Sequence, residues 1–299
     1  MHPPALRLRL LAAGLALAAF AASTAGCRCA APADAQPAAA PRETRLEIPS
    51  GGNTLAAVLT TPAGCRDGGK VPLVVIMHGI TVHKDWPLYK AISDRLAAEG
   101  YATLRFDFDG HGESTGADFE MTVPKEIGDA RAVFDCALSL GVASRIAFLG
   151  HSQGGLVAGM AAAELGADKV PVLVQMAPAA AAKDLRSDGM FAGRRLFDPA
   201  DLPDRVALPS GYTVGRGYLE TAAALPVYET AATYAGDVLL LQGGADIVVP
   251  PAYADRYAEA YKAAARCEYA LIPGENHNFS EDQDAAIDRI LAFLDSHLK

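Results

Sequence analysis

The chain has 299 residues, 51% of them hydrophobic and 20% charged, and a formal net charge of −9. That much apolar surface can meet the entropy cost of ordering a chain, which excludes a disordered protein, and the acidic balance excludes a binder that neutralises nucleic-acid phosphates. The length suits one large domain, or at most two, with a core that needs neither metal nor disulfide to hold it.

Residues 1–26 read as an export signal: Arg7 and Arg9 precede an unbroken apolar run over 10–22, and small residues follow. The run is too short for a membrane span of about 20 residues. Thr24-Ala25-Gly26-Cys27 resembles a bacterial lipobox, in which Cys27 becomes the lipidated N-terminus and a membrane tether. Ordinary cleavage nearby would release a soluble exported protein instead, so periplasmic and membrane-anchored forms both stand. Residues 27–44, rich in Ala and Pro, read as a flexible tether to a domain spanning 45–299. None of the five cysteines forms C-x-x-C, so a zinc or thioredoxin-type site has no support.

From residue 45 short apolar runs alternate with amphipathic stretches. Strands are expected at 45–49 and 54–61, joined by a turn at Gly51-Gly52-Asn53. Further strands are expected at 73–77, 102–108, 145–149, 170–176, 238–242 and 268–272. Helices are expected at 91–99, 123–140, 155–165, 252–265 and 284–298. This alternation predicts an α/β fold with a mostly parallel central sheet flanked by helices. Only residues 178–233 break the rhythm. Rich in Pro and Gly and too long to be idle, they read as an inserted cap over a site.

The strongest chemical signal is Gly150-His151-Ser152-Gln153-Gly154, a G-x-S-x-G pentapeptide between an expected strand and an expected helix. In that context the turn is so sharp that the serine adopts strained backbone angles and its hydroxyl stands above the sheet. A serine nucleophile needs a base and a group that orients the base, in chain order Ser, Asp or Glu, His. Asp246 and His277 both follow expected strands and so fall on the edge that carries Ser152. His277 would take the serine proton and Asp246 would fix its tautomer. His78, His83 and His111 precede Ser152, against the expected order, and His151 sits inside the elbow pointing away from the hydroxyl. Asp237 and Asp255 are weaker alternatives to Asp246, and Glu275 reads as a solvated loop residue. The oxyanion donors are expected to be the main-chain N–H groups of Gln153 and Ile80. With no H-E-x-x-H and no G-x-x-x-x-G-K, neither a metal nor a cofactor is expected.

Several segments carry a more specific resemblance: His78-Gly79-Ile80-Thr81, Arg105-Phe106-Asp107-Phe108-Asp109-Gly110-His111-Gly112-Glu113-Ser114, Gly150–Gly155, Ala177-Pro178-Ala179, Pro203-Asp204-Arg205, Leu225-Pro226-Val227-Tyr228-Glu229 and Asp246-Ile247-Val248-Val249. On these the chain resembles the α/β-hydrolases, and among them the bacterial cinnamoyl (feruloyl) esterases. The resemblance implies that the insertion forms a cap over an acyl pocket. It also implies that an acidic residue and a tyrosine in the cap, here Asp184 and Tyr218, contact the substrate's phenolic hydroxyls. An aromatic residue is common in that family where this chain has Ile80. The expected function is therefore hydrolysis of carboxylic esters through an acyl-enzyme, with a small-molecule hydroxycinnamate ester as substrate. An aminopeptidase-like activity, a general acyl-ester or thioester hydrolase, and a non-catalytic binding protein on the same fold remain the alternatives. Oligomeric state is left open.

Overall fold

A computed structural model describes residues 40–65 and 68–299. The expected signal, Cys27 and the tether through residue 39 lie outside the described residues. Among the described residues no helix is long and apolar enough to cross a membrane.

The chain opens with strands β1 (Arg42–Ser50) and β2 (Asn53–Thr61), which pair antiparallel from Arg42↔Thr61 to Ser50↔Asn53. The turn is the two glycines alone, at φ 56° and 91°. Positive φ at both central positions is what a tight hairpin with the right twist demands, and glycine meets it without a Cβ penalty. β1 starts three residues before the expected 45. Its first residues are exposed, so they join through backbone pairing along β2, which hydrophobic pattern does not report.

Then follow β3 (Val71–Met77), α1 (Pro87–Ala98), β4 (Ala102–Phe106), α2 (Val123–Ser139), β5 (Ala143–His151), α3 (Gln153–Leu165) and β6 (Val172–Met176). Residues 178–233 hold α4 (Leu185–Asp188), two small ribbons, β7 (Met190–Phe191) with β8 (Arg194–Arg195) and β9 (Arg205–Ala207) with β10 (Thr213–Gly215), and then α5 (Arg216–Ala223) and α6 (Val227–Ala231). The chain closes with β11 (Asp237–Gly243), α7 (Ala252–Ala260), β12 (Arg266–Ile272) and α8 (Gln283–His297). The main sheet runs β1-β2-β4-β3-β5-β6-β11-β12, parallel from β4 to β12.

Alternation along β3 feeds two layers. Leu73, Val75 and Met77 pack with Phe134 of α2 and Leu156 and Val157 of α3. Val74 and Ile76 pack with Ile92 and Leu96 of α1 and Ile290 and Leu294 of α8. Helices on both faces explain why the central strands are continuously apolar. The insertion is not a separate body, because Val206, Val214, Leu219 and Val227 join the first of these cores.

Three expected elements are shorter than their apolar patterns by two residues or more, and one is β6, which begins at Val172, not 170, where its pairing with β5 and β11 starts. β4 ends at Phe106, not 108, because its pairing with β2 and β3 stops there and Asp107 turns into a buried ionic cluster. α7 ends at Ala260, not 265, where Tyr261 leaves helical geometry at ψ 55° and its hydroxyl bonds the buried Gln175 side chain.

Leu104 of β4 is fully buried in the core. Leu104→Ala is expected to cost about 2–5 kcal/mol, read as a lower denaturant midpoint at unchanged slope.

Candidate active site

β5 and α3 meet with one residue between them, Ser152, at φ 57° and ψ −120°. That conformation is costly for a residue with a Cβ and persists only where the surroundings over-determine it. Here they do: the Ser152 N–H donates to Met176 O at 2.8 Å, and its carbonyl accepts from Leu156 and Ala179 at 3.1 and 3.0 Å. Gly150 and Gly154 allow the approach. A Cβ on Gly150 would lie 2.1 Å from Gly154 O, and one on Gly154 2.3 Å from Met77 O.

The loops after β5, β11 and β12 leave the same edge of the parallel sheet and bring Ser152, Asp246 and His277 together. His277 Nε2 lies 2.9 Å from Ser152 Oγ, and its Nδ1 lies 2.8 Å from Asp246 Oδ2. Oδ1 of Asp246 accepts the main-chain N–H groups of Val248 and Val249, each at 2.8 Å, and Gln242 Nε2 donates to Oδ2 at 3.1 Å. Burial pushes this carboxyl up, but the His277 hydrogen bond, the His277 charge and the two N–H donors outweigh it, so Asp246 titrates below its ordinary range.

Glu275 departs from the expectation of a solvated loop residue. It is buried, and its carboxylate accepts the N–H groups of Asn276, Glu281 and Asp282, which shapes the loop that carries His277. One carboxylate satisfies three donors that a short loop cannot satisfy from its own backbone.

Ile80 and Gln153 both line a cavity beside Ser152, and neither main-chain N–H has a protein acceptor among the described residues. Three side chains fix the loop bearing Ile80. Phe108 N–H donates to His78 Nε2, so the other nitrogen, Nδ1, donates to Gly79 O at 2.8 Å. His111 Nε2 meets Ile80 O at 2.8 Å. Tyr89 Oη accepts Gly79 N–H at 3.0 Å. Burial holds both histidines below their ordinary range, with the His111 charge adding to the effect at His78, and the carbonyls of Asp109 and Ile80 partly oppose it at His111.

Beneath that loop lies a cluster to which the sequence assigned no role. Lys84 and Asp107 are buried and pair at 3.0 Å, and Glu113 and Asp85 also meet the Lys84 ammonium. Asp107 further accepts Lys84 N–H at 2.6 Å and Glu113 N–H at 2.9 Å. The available signal was one lysine shortly after an apolar strand, together with the Asp107-x-Asp109 pair.

The cavity holds about 210 Å³. Its walls are chiefly apolar, from Val82, Leu185, Met190, Phe191, Val248 and Val249, and among the described residues no Asp, Glu, Lys or Arg lines it. Among the described residues no cluster of His, Cys, Asp and Glu could hold a metal ion. Tyr218 reaches the wall and donates its hydroxyl to Gln153 Oε1 at 2.7 Å. The Gln153 amide donates in turn to Glu126 at 2.7 Å. Burial pushes Glu126 well above the ordinary carboxyl range, and nearby Asp129 and Asp109 add to this against the Gln153 bond. The expectation for Asp184 needs correction. It is not part of the cavity wall, because the turn at Ala180–Lys183 places Ala181, Ala182 and Leu185 there, and its carboxylate accepts the Tyr253 hydroxyl at 2.6 Å.

Residues 70–198 match the family of serine aminopeptidases, S33. The chain is 30% identical to Est1E of Butyrivibrio proteoclasticus, solved with ferulic acid bound, over 85% of this chain and 99% of that one, with a TM-score of 0.78. It is 27% identical over 264 residues, 83% of each chain, to an uncharacterized protein of Mycobacterium tuberculosis. An esterase structure from Pyrococcus furiosus shares the fold at 20% identity and TM-score 0.65, over 86% of this chain and 94% of that one.

Lys84→Met would strand the buried Asp107 charge, and is expected to cost about 3–5 kcal/mol of stability, measured by chemical denaturation. Glu126 is an acid with a raised native pKa, so native stability falls as pH rises from its unfolded value toward its native one. Glu126→Gln lacks this slope. Its unfolding free energy relative to wild type, read from denaturant midpoints, is expected to climb as pH rises above the ordinary carboxyl range, by up to about 1.4 kcal/mol per pH unit; a constant difference would contradict a raised pKa at Glu126.

Proposed function

The chain belongs to the α/β-hydrolase superfamily, and from that premise we propose that it is a serine ester hydrolase acting through an acyl-enzyme. The observation that carries the reading is the hydrogen-bonded series from Ser152 Oγ to His277 to Asp246, opening on a cavity with two free main-chain donors. His277 Nε2 takes the serine proton as Oγ attacks the ester carbonyl. The carbonyl oxygen becomes an oxyanion held by the N–H groups of Ile80 and Gln153. On collapse of this intermediate the C–O bond to the alcohol breaks, and His277 returns the proton to the departing oxygen. Water then attacks the acyl-serine by the same steps. Asp246, kept ionised by its donors, stabilises the imidazolium and holds the tautomer.

For the acyl group, the reading is a hydroxycinnamate. The cavity is compact and apolar, as an aromatic acid requires, and the relative at 30% identity binds ferulic acid. Tyr218 donates its proton to Gln153, and its oxygen keeps lone pairs that can accept from a phenolic hydroxyl. The matched family favours a second reading, aminopeptidase activity. A wall without Asp or Glu weighs against it, since nothing there would hold a substrate ammonium. Export, with lipid attachment at Cys27, rests on residues 1–27 alone; Cys27→Ala should then shift the protein out of the membrane fraction.

Ser152→Ala should lower turnover of methyl ferulate and p-nitrophenyl acetate by at least about 10⁴-fold with the fold intact by circular dichroism. Near-full activity would overturn the mechanism. On the wild-type protein, methyl ferulate and caffeate should have higher kcat/KM than aliphatic methyl esters, and aryl amides of amino acids should be poor. Preference for the amides would favour the peptidase. Tyr218→Phe should weaken ferulate and caffeate esters more than acetates; equal losses would remove the phenol contact.

A further inference from the structure

Two buried residues outside the proposed triad, Tyr89 of α1 and His151 of the elbow, join the loops around the nucleophile into one series. The Gly79 N–H donates to Tyr89 Oη at 3.0 Å. Tyr89 Oη lies 2.8 Å from His151 Nδ1, and His151 Nε2 lies 2.8 Å from the main-chain oxygen of His277. The carbonyl end and a neutral His151 ring together place the protons. An amide N–H can only donate, and a carbonyl can only accept. His151 therefore carries its proton on Nε2 and gives it to His277 O, and its bare Nδ1 takes the Tyr89 proton. This requires a neutral ring. Burial, with the His277 charge adding to it, lowers the His151 pKa to about 3. Tyr89, fully buried, keeps its phenolic proton for the same reason.

We propose that Tyr89 and His151 are positioning residues, a polar strut that sets the spacing between the loop of Ile80 and the loop of His277 with Ser152 between them. Gly79 fits the role. A Cβ there would lie 3.2 Å from Ser152 Cβ, so a side chain at this position would press the loop a few tenths of an ångström away from the elbow. The loop of His277 has its own support from Glu275, and the loop of Ile80 has His78 and His111. Among the described residues no other series of hydrogen bonds joins the two. Its loss should leave each loop folded while their separation drifts, and displacement of about 1 Å at a reacting centre can cost about 10²-fold in rate.

The inference rests on the serine hydrolase reading, so Ser152→Ala is carried alongside. Steady-state kinetics on p-nitrophenyl acetate and melting temperature are measured for Tyr89→Phe, His151→Phe, His151→Gln and Tyr89→Phe/His151→Phe. Each Phe variant should lower kcat roughly 10- to 100-fold with KM within about threefold of wild type. The double variant should be no worse than the poorer single, because one broken link already frees the strut. His151→Gln keeps an N–H donor toward His277 O and should recover most of the rate that His151→Phe loses. Single variants within about twofold of wild type in kcat, multiplying effects, or Gln no better than Phe would overturn the strut. Should His151→Phe fail to fold, Tyr89→Phe and His151→Gln decide. An inert Ser152→Ala beside fully active strut variants sinks this inference alone, whereas an active Ser152→Ala sinks the underlying reading.

Discussion

The site depends on β5 passing into α3 with no loop between them. One residue, Ser152, must turn the chain, and it does so at positive φ. The sheet and helix on either side are buried, so the strain cannot relax without undoing core packing. That constraint puts the hydroxyl at the sheet edge and leaves the Gln153 N–H, in the first turn of α3, without an intrahelical partner. The elbow thus supplies both a nucleophile and a donor. Its cost also explains the glycines: the crossing is so tight that Gly150 has no room for a Cβ beside Gly154 O.

The surrounding loops are held by buried polar side chains as well as by apolar contact. His78 and His111 pin successive carbonyls of the loop after β3, Glu275 gathers three N–H groups of the loop after β12, and Asp246 accepts two more after β11. Each is largely withdrawn from water, where a hydrogen bond is stronger and a missing partner costs more. Lys84 and Asp107 follow the same rule beneath the loop of Ile80. Such loops tolerate little drift, which is what a site needs if its donors are to meet charge that develops only during reaction.

The insertion completes the site by supplying walls. Leu185, Met190, Phe191 and Tyr218 come from it, whereas the reacting groups come from the loops of the main sheet. Chemistry and selectivity therefore reside on different parts of the chain. The Tyr218–Gln153–Glu126 series connects them, because the residue whose N–H is offered to the oxyanion also holds the cap tyrosine by its side chain.

By itself the sequence determined the order of the main elements, the mostly parallel sheet, the elbow, and the candidate residues Asp246 and His277. These are local facts: periodicity, a glycine-spaced pentapeptide and positions just after apolar strands each need only a few neighbouring residues to be read. The tertiary structure decided what depends on groups far apart in the chain. It turned Asp184 toward Tyr253, buried Glu275, paired Lys84 with Asp107, and placed the His151 ring between Tyr89 and the loop of His277. No spacing announces such contacts, because burial and the partner across the fold decide what a polar side chain does, and both exist only once the sheet has brought its loop ends to one edge.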